Sequence, residues 1–304
     1  MGNDRLSISA PAKVNLFLRI TGRRPDGYHT LETLMQKVDL FDHLELKRCA
    51  FGIHLQCPDS DLPEDEGNLA YRAAGLFLDL VGDRITGQER GIRMTLSKEI
   101  PQAAGLGGGS SDAAAVLTGM NSLFAADCST EELACMGLKL GADVPFFIYD
   151  WPVSWATGIG DRLTPAASMQ DVVLLLVNPG FSVSTKWAYE TFALTSGENI
   201  FNLIDSPRVT GNSVVENPFA GRTIRPEEMI NDLEEVTAAR YQEIKQLKAC
   251  LLDAGAEVAM MSGSGPTVFG LFEQRKYSKA QACLRYLQKI YTQTFIVRPL
   301  ATDC

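Results

Sequence analysis

The sequence is poor in the residues that build metal centres and nucleic-acid surfaces. Its 304 residues include three histidines, and no two of them have the His-x-x-x-His spacing of a helical metal site, so a histidine-rich metal site is not expected. Lys and Arg number 28 against 37 Asp and Glu, which gives a net charge of −9 and no basic block for nucleic acid. An acidic chain that binds phosphate must create positive potential locally, from a few lysines, backbone N–H groups and a bound cation.

Long hydrophobic runs and paired cysteines are also missing. The longest uninterrupted apolar run, VVLLLV at residues 172–177, is far shorter than the roughly 20 residues of a membrane span. The first residues lack the charged-then-apolar pattern of a signal peptide. Seven cysteines without a C-x-x-C pair suit reduced thiols better than a disulfide framework. We therefore expect a globular cytoplasmic protein with no membrane partner; the sequence carries no signal for oligomeric state.

The most informative stretch that is present is a small-residue loop, PQAAGLGGGSS at residues 101–111. It follows an alternating segment at 92–97 and leads into the alanine-rich segment 112–124, so the order is strand, loop, helix start. Unpaired N–H groups and the helix dipole favour a phosphate at such a place. The loop is neither a Walker A motif nor a dinucleotide fingerprint. A flexible glycine-rich connection is the alternative.

Periodicity divides the rest of the chain into strands and helices. Every even residue from Ile8 to Ile20 is apolar, which predicts a strand with its even face on the core and with Lys13 and Asn15 on the other face. Pattern alone favours a solvent-exposed lysine at 13. Asp143 lies two residues before a proline, which is typical of a helix N-cap or a turn, so this structural role is as good an explanation of the residue as a functional one. Further strands are predicted at 30–40, 44–47, 51–56, 172–178, 258–261, 267–272 and 294–297. Helices are predicted at 69–81 with Asn68 as its cap, at 129–140 with Ser129 and Glu132 in a capping box, at 227–254 in one or two pieces and at 278–290, and a loop that enters a helix is predicted at 182–192.

The chain is long enough for two domains. A shift in composition at 164–171 places the boundary there, which gives domains of residues 1–164 and 165–304. Residues 196–226 are polar and rich in Gly, Asn and Pro, so they are predicted to form a long surface excursion. The second glycine cluster, SGSGP at 262–266, needs no ligand to form a tight turn.

Three stretches together resemble the three motifs of the GHMP kinases of small molecules: PAKVNLFLRITGRRPDGYHTL at 11–31, IPQAAGLGGGSSDAA at 100–114 and SGSGPTVFGLF at 262–272. DGYHTL and LGADVPFF resemble, in particular, the branch that phosphorylates the 2-hydroxyl of 4-diphosphocytidyl-2-C-methyl-D-erythritol in the non-mevalonate isoprenoid pathway. The resemblance implies a two-domain α+β fold, in which an N-terminal domain like domain 2 of ribosomal protein S5 precedes an α+β C-terminal domain. It places the active site in the cleft between them.

The resemblance also implies roles for single residues. Asp143 and Lys13 match the catalytic aspartate and its partner lysine, and ATP is expected with its phosphates, carrying Mg²⁺, at the glycine loop. Asn15 is expected at the substrate hydroxyl. The implied ATP-binding residues are Asn68, Lys98, Pro101, Gly105, Leu106, Gly107, Gly108, Gly109, Ser110, Ser111 and Asn121. The implied substrate contacts are Tyr28 and His29 on the cytosine ring, Tyr189 on its other face and Thr185 on the diphosphate. No metal ligand is assigned.

Two alternatives stay open beside this reading. The first is another GHMP kinase, acting on homoserine or mevalonate. DGYHTL and Tyr189 argue against it, because aromatic residues on both faces of a base would have no role with a substrate that lacks a base. The second is a non-catalytic nucleotide-binding sensor, which has no need of Lys13 and Asp143. Asp112 stands near the expected phosphates where some members carry asparagine, so it must point away from them or toward magnesium. Trp187 has no role that the sequence explains.

Overall fold

The computed structural model of the protein describes residues 4–25, 27–58, 60–85, 88–195 and 216–301. Contacts between residues divide the chain into two compact units. The first unit comprises the chain up to Ala12, Leu40–Ile100 and Gly107–Asp150; the second comprises Lys13–Asp39, Pro101–Leu106 and the chain from Trp151 onward. The division falls inside two long strands and inside the glycine loop, so both units are discontinuous in sequence. The predicted domains, 1–164 and 165–304, are each continuous in sequence, and the boundary between them at residue 164 stays a prediction.

Ten strands and eight α-helices lie in the described residues. The strands are β1 (Arg5–Arg23), β2 (His29–Cys49), β3 (Ile53–Gln56), β4 (Gly91–Ser97), β5 (Val153–Thr157), β6 (Arg162–Pro165), β7 (Val172–Val177), β8 (Val258–Met261), β9 (Val268–Glu273) and β10 (Thr294–Val297). The helices are α1 (Leu69–Val81), α2 (Gly108–Phe124), α3 (Thr130–Leu140), α4 (Val144–Ile148), α5 (Thr185–Thr195), α6 (Asp232–Arg240), α7 (Gln242–Asp253) and α8 (Tyr277–Leu287). No helix in these ranges is both long and apolar enough to cross a membrane.

Several elements differ from the predicted bounds, and the helical segment predicted at 227–254 forms two helices, α6 and α7. The segments expected at 30–40 and 44–47 are one continuous strand, β2, because the alternation of the strand continues between them: Leu40, Asp42 and Leu44 are buried, whereas Asp39 and His43 are exposed. Helix α2 begins at Gly108 instead of 112, so the last glycines of the loop already belong to the helix. Most of the predicted excursion, residues 196–215, lies outside the described residues.

The first unit packs α1 and α2 on a sheet formed by β3, β4 and the C-terminal part of β2. Strand β4 pairs antiparallel with β2, from His43↔Ser97 to Cys49↔Gly91, and parallel with β3. Alanines along α2 allow α1 to approach closely, and the core between helices and sheet includes Phe77, Met94 and Val116. The capping box predicted at the start of α3 is present.

The second unit contains an antiparallel sheet in the order β10-β7-β9-β8. Its core joins β7, β8 and β9 to α7 and α8 through residues such as Leu175, Leu251, Phe272 and Leu287. The N-terminal part of β2 pairs with β5, and β5 pairs with β6. The predicted turn at 262–266 connects β8 to β9 at one end of this sheet, which places it beside β1.

Candidate active site

The C-terminal part of β1 carries the predicted lysine and asparagine into the interior of the second unit. Its even-numbered residues are buried as predicted, but Lys13 is only 4% exposed and Asn15 only 3%. The expectation of a solvent-exposed lysine, drawn from pattern alone, is therefore wrong. The reason is tertiary: the turn at 262–266 lies over this face of the strand, since a Cβ added at Gly263 would lie 3.2 Å from Asn15 Oδ1 and 3.5 Å from Lys13 Nζ.

A directed chain of hydrogen bonds holds the lysine. The Lys13 ammonium donates to Asn15 Oδ1 at 2.5 Å, and Asn15 Nδ2 donates to Thr33 Oγ1 at 2.8 Å. Thr33 Oγ1 in turn donates to the carbonyl of Phe17 at 2.6 Å. Sequence reasoning did not single out Thr33; its place in the stretch TLETL gives no signal that the side chain reaches another strand.

The turn after β8 joins the glycine loop to β1. Ser262, which is fully buried, donates its hydroxyl to the Gly105 carbonyl at 2.9 Å and accepts the Asn15 N–H at 3.2 Å. Gly105 has φ +78°, and a Cβ added there would lie 2.0 Å from the Ser262 carbonyl oxygen. Only glycine fits this approach. The two glycine clusters, which are far apart in sequence, therefore form one connected structure.

The other half of the glycine loop opens α2 in the first unit. Gly107 is the N-cap residue with φ +72° and offers no side-chain cap, so the first N–H groups of the helix are not capped by it. A Cβ on Gly108 would meet Ile100 and Asp42 in the interior, whereas a Cβ on Gly109 would meet no atom of the described residues within 4 Å. Ser111 is buried, and its hydroxyl has no hydrogen-bond partner among the described residues. The open side of this helix start therefore lies at Gly109.

Asp112 points away from the helix start into a buried charge cluster. Lys98 Nζ lies 2.7 Å from Asp112 Oδ2 and also contacts Asp42 Oδ2. Asp42 Oδ1 accepts the N–H groups of Glu99 and Ile100. Burial, opposed by the charge of Lys98 and reinforced by that of Asp42, raises the pKa of Asp112 to about 7. The Lys98 ammonium is thus shared between two carboxyl groups, and its contact with nucleotide stays a prediction.

Asp143 lies at the start of α4, in the same unit as the helix start of α2. It is the N-cap residue of a helix of five residues, but its side chain makes no capping hydrogen bond. The plain N-cap interpretation therefore does not account for the carboxylate. A Cβ added at Gly141 would lie 3.9 Å from Ser110 Oγ, so the segment that leads to Asp143 passes beside the glycine loop.

Two asparagines expected near ATP have structural partners. Asn68 caps α1 as predicted, accepting the Ala70 N–H at 3.0 Å, and its Nδ2 donates to the carbonyl of Pro63. Asn121 bonds both the N–H and the carbonyl of Cys128, and it lies near the C-terminal end of α2, roughly 20 Å along the helix from Gly108. Their contacts with nucleotide stay predictions.

The aromatic residues expected on the cytosine ring lie together in the second unit. His29 and Tyr189 stack with centroids 5.4 Å apart and 27° between their planes, and Tyr28 is exposed. Burial, followed by the charge of Arg23, lowers the pKa of His29, so the ring is neutral at pH 7; its buried Nε2 has no hydrogen-bond partner in the part of the chain that the structure describes. Thr185 Oγ1 lies 2.9 Å from Ser264 Oγ, which brings two hydroxyls to the first turn of α5.

Trp187, whose role the sequence did not explain, anchors the helix that carries Thr185 and Tyr189. Its ring meets Tyr241 edge-on at 6.2 Å, and the Arg240 guanidinium lies 4.7 Å from its centroid. Tyr241 stacks on Phe181 in turn. These aromatic and cation–π contacts pack α5 against the C-terminal end of α6.

Comparison with known proteins supports the three-motif pattern. The chain matches the family models of the GHMP kinases N-terminal domain over residues 68–150 and the GHMP kinases C-terminal domain over residues 220–293. It is 46% identical over 274 residues to the 4-diphosphocytidyl-2-C-methyl-D-erythritol kinase of Syntrophus aciditrophicus, an alignment that covers 90% of this chain and 92% of that one. The chain belongs to the 4-diphosphocytidyl-2-C-methyl-D-erythritol kinase family. This family lies within the GHMP kinases, as the three motifs predicted.

Solved structures agree with the family. A crystal structure of 4-(cytidine 5'-diphospho)-2C-methyl-D-erythritol kinase is similar with a TM-score of 0.73 and 33% identity, and the alignment covers 96% of this chain and 98% of that chain. A homoserine kinase from Cytophaga hutchinsonii has a TM-score of 0.68 at 19% identity over 98% of this chain and 95% of its own. The second similarity concerns the fold alone. The predicted fold class, a GHMP kinase α+β fold, is confirmed.

Proposed function

We propose that the protein transfers the γ-phosphoryl group of ATP to the 2-hydroxyl of 4-diphosphocytidyl-2-C-methyl-D-erythritol, giving the 2-phosphate and ADP. The observation that carries this proposal is the 46% identity to the Syntrophus kinase along 90% of the chain. The stretch that carries DGYHTL supports the same acceptor, because it delivers an exposed tyrosine and a neutral histidine to one place.

The proposed donor site is the start of α2. Gly109 faces open space there, and backbone N–H groups at a helix start attract phosphate. The orphaned, buried hydroxyl of Ser111 suits one ligand of Mg²⁺. In the described residues, no group of three or more His, Cys, Asp or Glu side chains could hold a metal ion, so we expect the phosphates themselves to hold it. When bound, Mg²⁺ would offset charge on the phosphates.

In the proposed reaction, Asp143 accepts the proton of the 2-hydroxyl as that oxygen bonds to the γ-phosphorus. The bond from the γ-phosphorus to the bridging oxygen breaks, and ADP leaves with the electron pair. Lys13 offsets negative charge on the incoming oxygen. The chain of hydrogen bonds through Asn15 holds its ammonium in one orientation, which positions that charge before the substrate arrives.

The proposed base site uses Tyr28, His29 and Tyr189. Neutral His29 has one donor and one acceptor nitrogen, which suits the edge of cytosine. Two stacked rings lie about 3.5 Å apart, so a base between His29 and Tyr189 would need roughly 7 Å between their centroids. The observed 5.4 Å leaves no room for it. We therefore expect Tyr189 to leave His29 when the base binds.

The test is ADP release with ATP and magnesium, comparing the cytidylated acceptor with methylerythritol 4-phosphate, homoserine, mevalonate and no acceptor. Turnover confined to the cytidylated acceptor supports the proposal. Equal turnover without the cytidine moiety would contradict the substrate assignment, and turnover with homoserine or mevalonate would place the protein elsewhere among the GHMP kinases. ATP binding without turnover on any acceptor would favour the sensor.

Asp143→Asn tests the chemical role directly. The variant removes the proton acceptor and keeps the shape, so kcat is expected to fall by about 10²- to 10⁴-fold while ATP affinity holds. The matched control is Asp150→Asn, an exposed carboxylate seven residues further on in the same unit, which should leave both unchanged. An unaltered kcat in Asp143→Asn would remove this residue from the mechanism.

A further inference from the structure

Thr33 is a buried threonine whose hydroxyl both gives and receives a hydrogen bond. It is 4% exposed on β2. Its single hydroxyl proton goes to the Phe17 carbonyl at 2.6 Å, and its oxygen accepts from Asn15 Nδ2 at 2.8 Å. Because that proton is already used, Thr33 can only accept from Asn15.

This direction determines how the Asn15 amide is turned. The amide must present its NH₂ group to Thr33, so its oxygen faces the other way, toward Lys13 Nζ at 2.5 Å. Lysine has donors only. An amide turned by 180° would aim its NH₂ group at the ammonium and lose this bond. The chain Lys13, Asn15, Thr33, Phe17 carbonyl therefore runs in one donor direction, which strengthens each bond in it.

We propose that Thr33 is a positioning residue for the kinase reaction, which orients the Lys13 ammonium through the Asn15 amide. This inference rests on the proposed function for its kinetic consequence. Thr33 touches neither nucleotide nor acceptor in this role. Its contribution is to select one of the two amide orientations at Asn15, and so to keep the lysine charge at one place.

The test compares Thr33→Val with Thr33→Ser. Valine has the shape of threonine but can neither accept from Asn15 nor donate to Phe17, while serine keeps the hydroxyl. We expect Thr33→Val to lower kcat by about 10²-fold, the scale of a 1 Å misplacement, with the KM for ATP unchanged. Thr33→Ser should retain most of the wild-type kcat.

The matched control is Thr237→Val in α6 of the same unit. Thr237 is fully buried, and its hydroxyl donates to the Leu233 carbonyl at 3.0 Å. The control loses a buried hydroxyl bond without any link to Lys13, so it should keep kcat. A second control is Asn15→Ala, because without the amide Thr33 has nothing to orient. Thr33→Val should cost no further activity in that background.

A second readout needs no acceptor. The Asn15 Nδ2 protons, observed by NMR in the full chain, should exchange with solvent more slowly in the wild type than in Thr33→Val. Equal exchange, a kcat of Thr33→Val equal to that of the wild type, or an undiminished loss in the Asn15→Ala background would each overturn the inference. Wild-type protein without acceptor-dependent ADP release would instead overturn the proposed function, while the exchange measurement still decides the role of Thr33.

Discussion

Replacement of Gly105 by alanine tests the junction between the two glycine clusters. The added Cβ would lie 2.0 Å from the Ser262 carbonyl oxygen, 3.1 Å from its carbon and 3.2 Å from the Gly265 nitrogen. Since real contacts of this kind begin near 3 Å, the turn and the loop must separate by about 1 Å. All of the nearby atoms belong to backbone, so no side chain can swing aside.

The expected cost follows from the backbone angle and from the bonds at risk. A left-handed conformation, φ +78° here, costs an L-residue roughly 1–2 kcal/mol. A shift of Ser262 would break or lengthen its hydrogen bonds to the Gly105 carbonyl and to the Asn15 N–H, and each of these contributes about 1 kcal/mol to stability. The sum is roughly 3–4 kcal/mol. On a scale of about 2–4 °C per kcal/mol for a domain of this size, the melting temperature should fall by about 10 °C.

Gly109→Ala is the matched control in the same loop. Its Cβ would come within 4 Å of no atom in the described ranges, and it lies in the first turn of α2, where alanine is favoured over glycine by roughly 0.5–1 kcal/mol. Thermal unfolding should therefore show Gly105→Ala well below the wild type and Gly109→Ala at or above it. Equal melting temperatures for the two variants would refute the argument that the close approach at Ser262 requires glycine.

Two further predictions concern charge and stacking. Because burial raises the pKa of Asp112 to about 7, its proton stabilises the fold fully below about pH 4, and that contribution is lost as the pH rises through 7. Asp112→Asn should flatten the dependence of the free energy of unfolding on pH between 4 and 7, measured by urea denaturation; an unchanged slope would contradict the assignment. Tyr189→Ala should raise the KM for the cytidylated acceptor by about 5- to 150-fold, the 1–3 kcal/mol of a base stack, and leave the KM for ATP unchanged. An equal rise in the KM for the acceptor and the KM for ATP would contradict base stacking at Tyr189.

Elements whose signals are local were predictable from the sequence. The helix at 69–81 and its Asn68 cap, and the capping box of Ser129 and Glu132, rest on interactions within one or two turns, and the structure confirms them. The even face of β1 is likewise read from alternation and is buried as expected. The GHMP kinase family was recognisable because its three motifs are short, contiguous and ordered.

Features that depend on distant partners were not predictable in this way. Asp112 was expected to turn either from the phosphates or toward magnesium; its contact with Lys98, which also contacts the buried Asp42, shows that it turns inward. Gly108 and Gly109 look alike in the sequence, but one faces the interior and the other open space. Whether a side chain fits at a glycine position depends on the atoms that approach it from other segments.

The sequence by itself determined the family, the order of most elements and the residue types available for chemistry. Only the tertiary structure decided that Lys13 is buried, that the Asn15 amide donates to Thr33 and that Ser262 bonds the glycine loop to β1. The physical reason is sequence separation. Hydrogen bonds between residues as distant as Asn15 and Ser262 leave no periodic trace in either segment, so they exist only once the chain has folded.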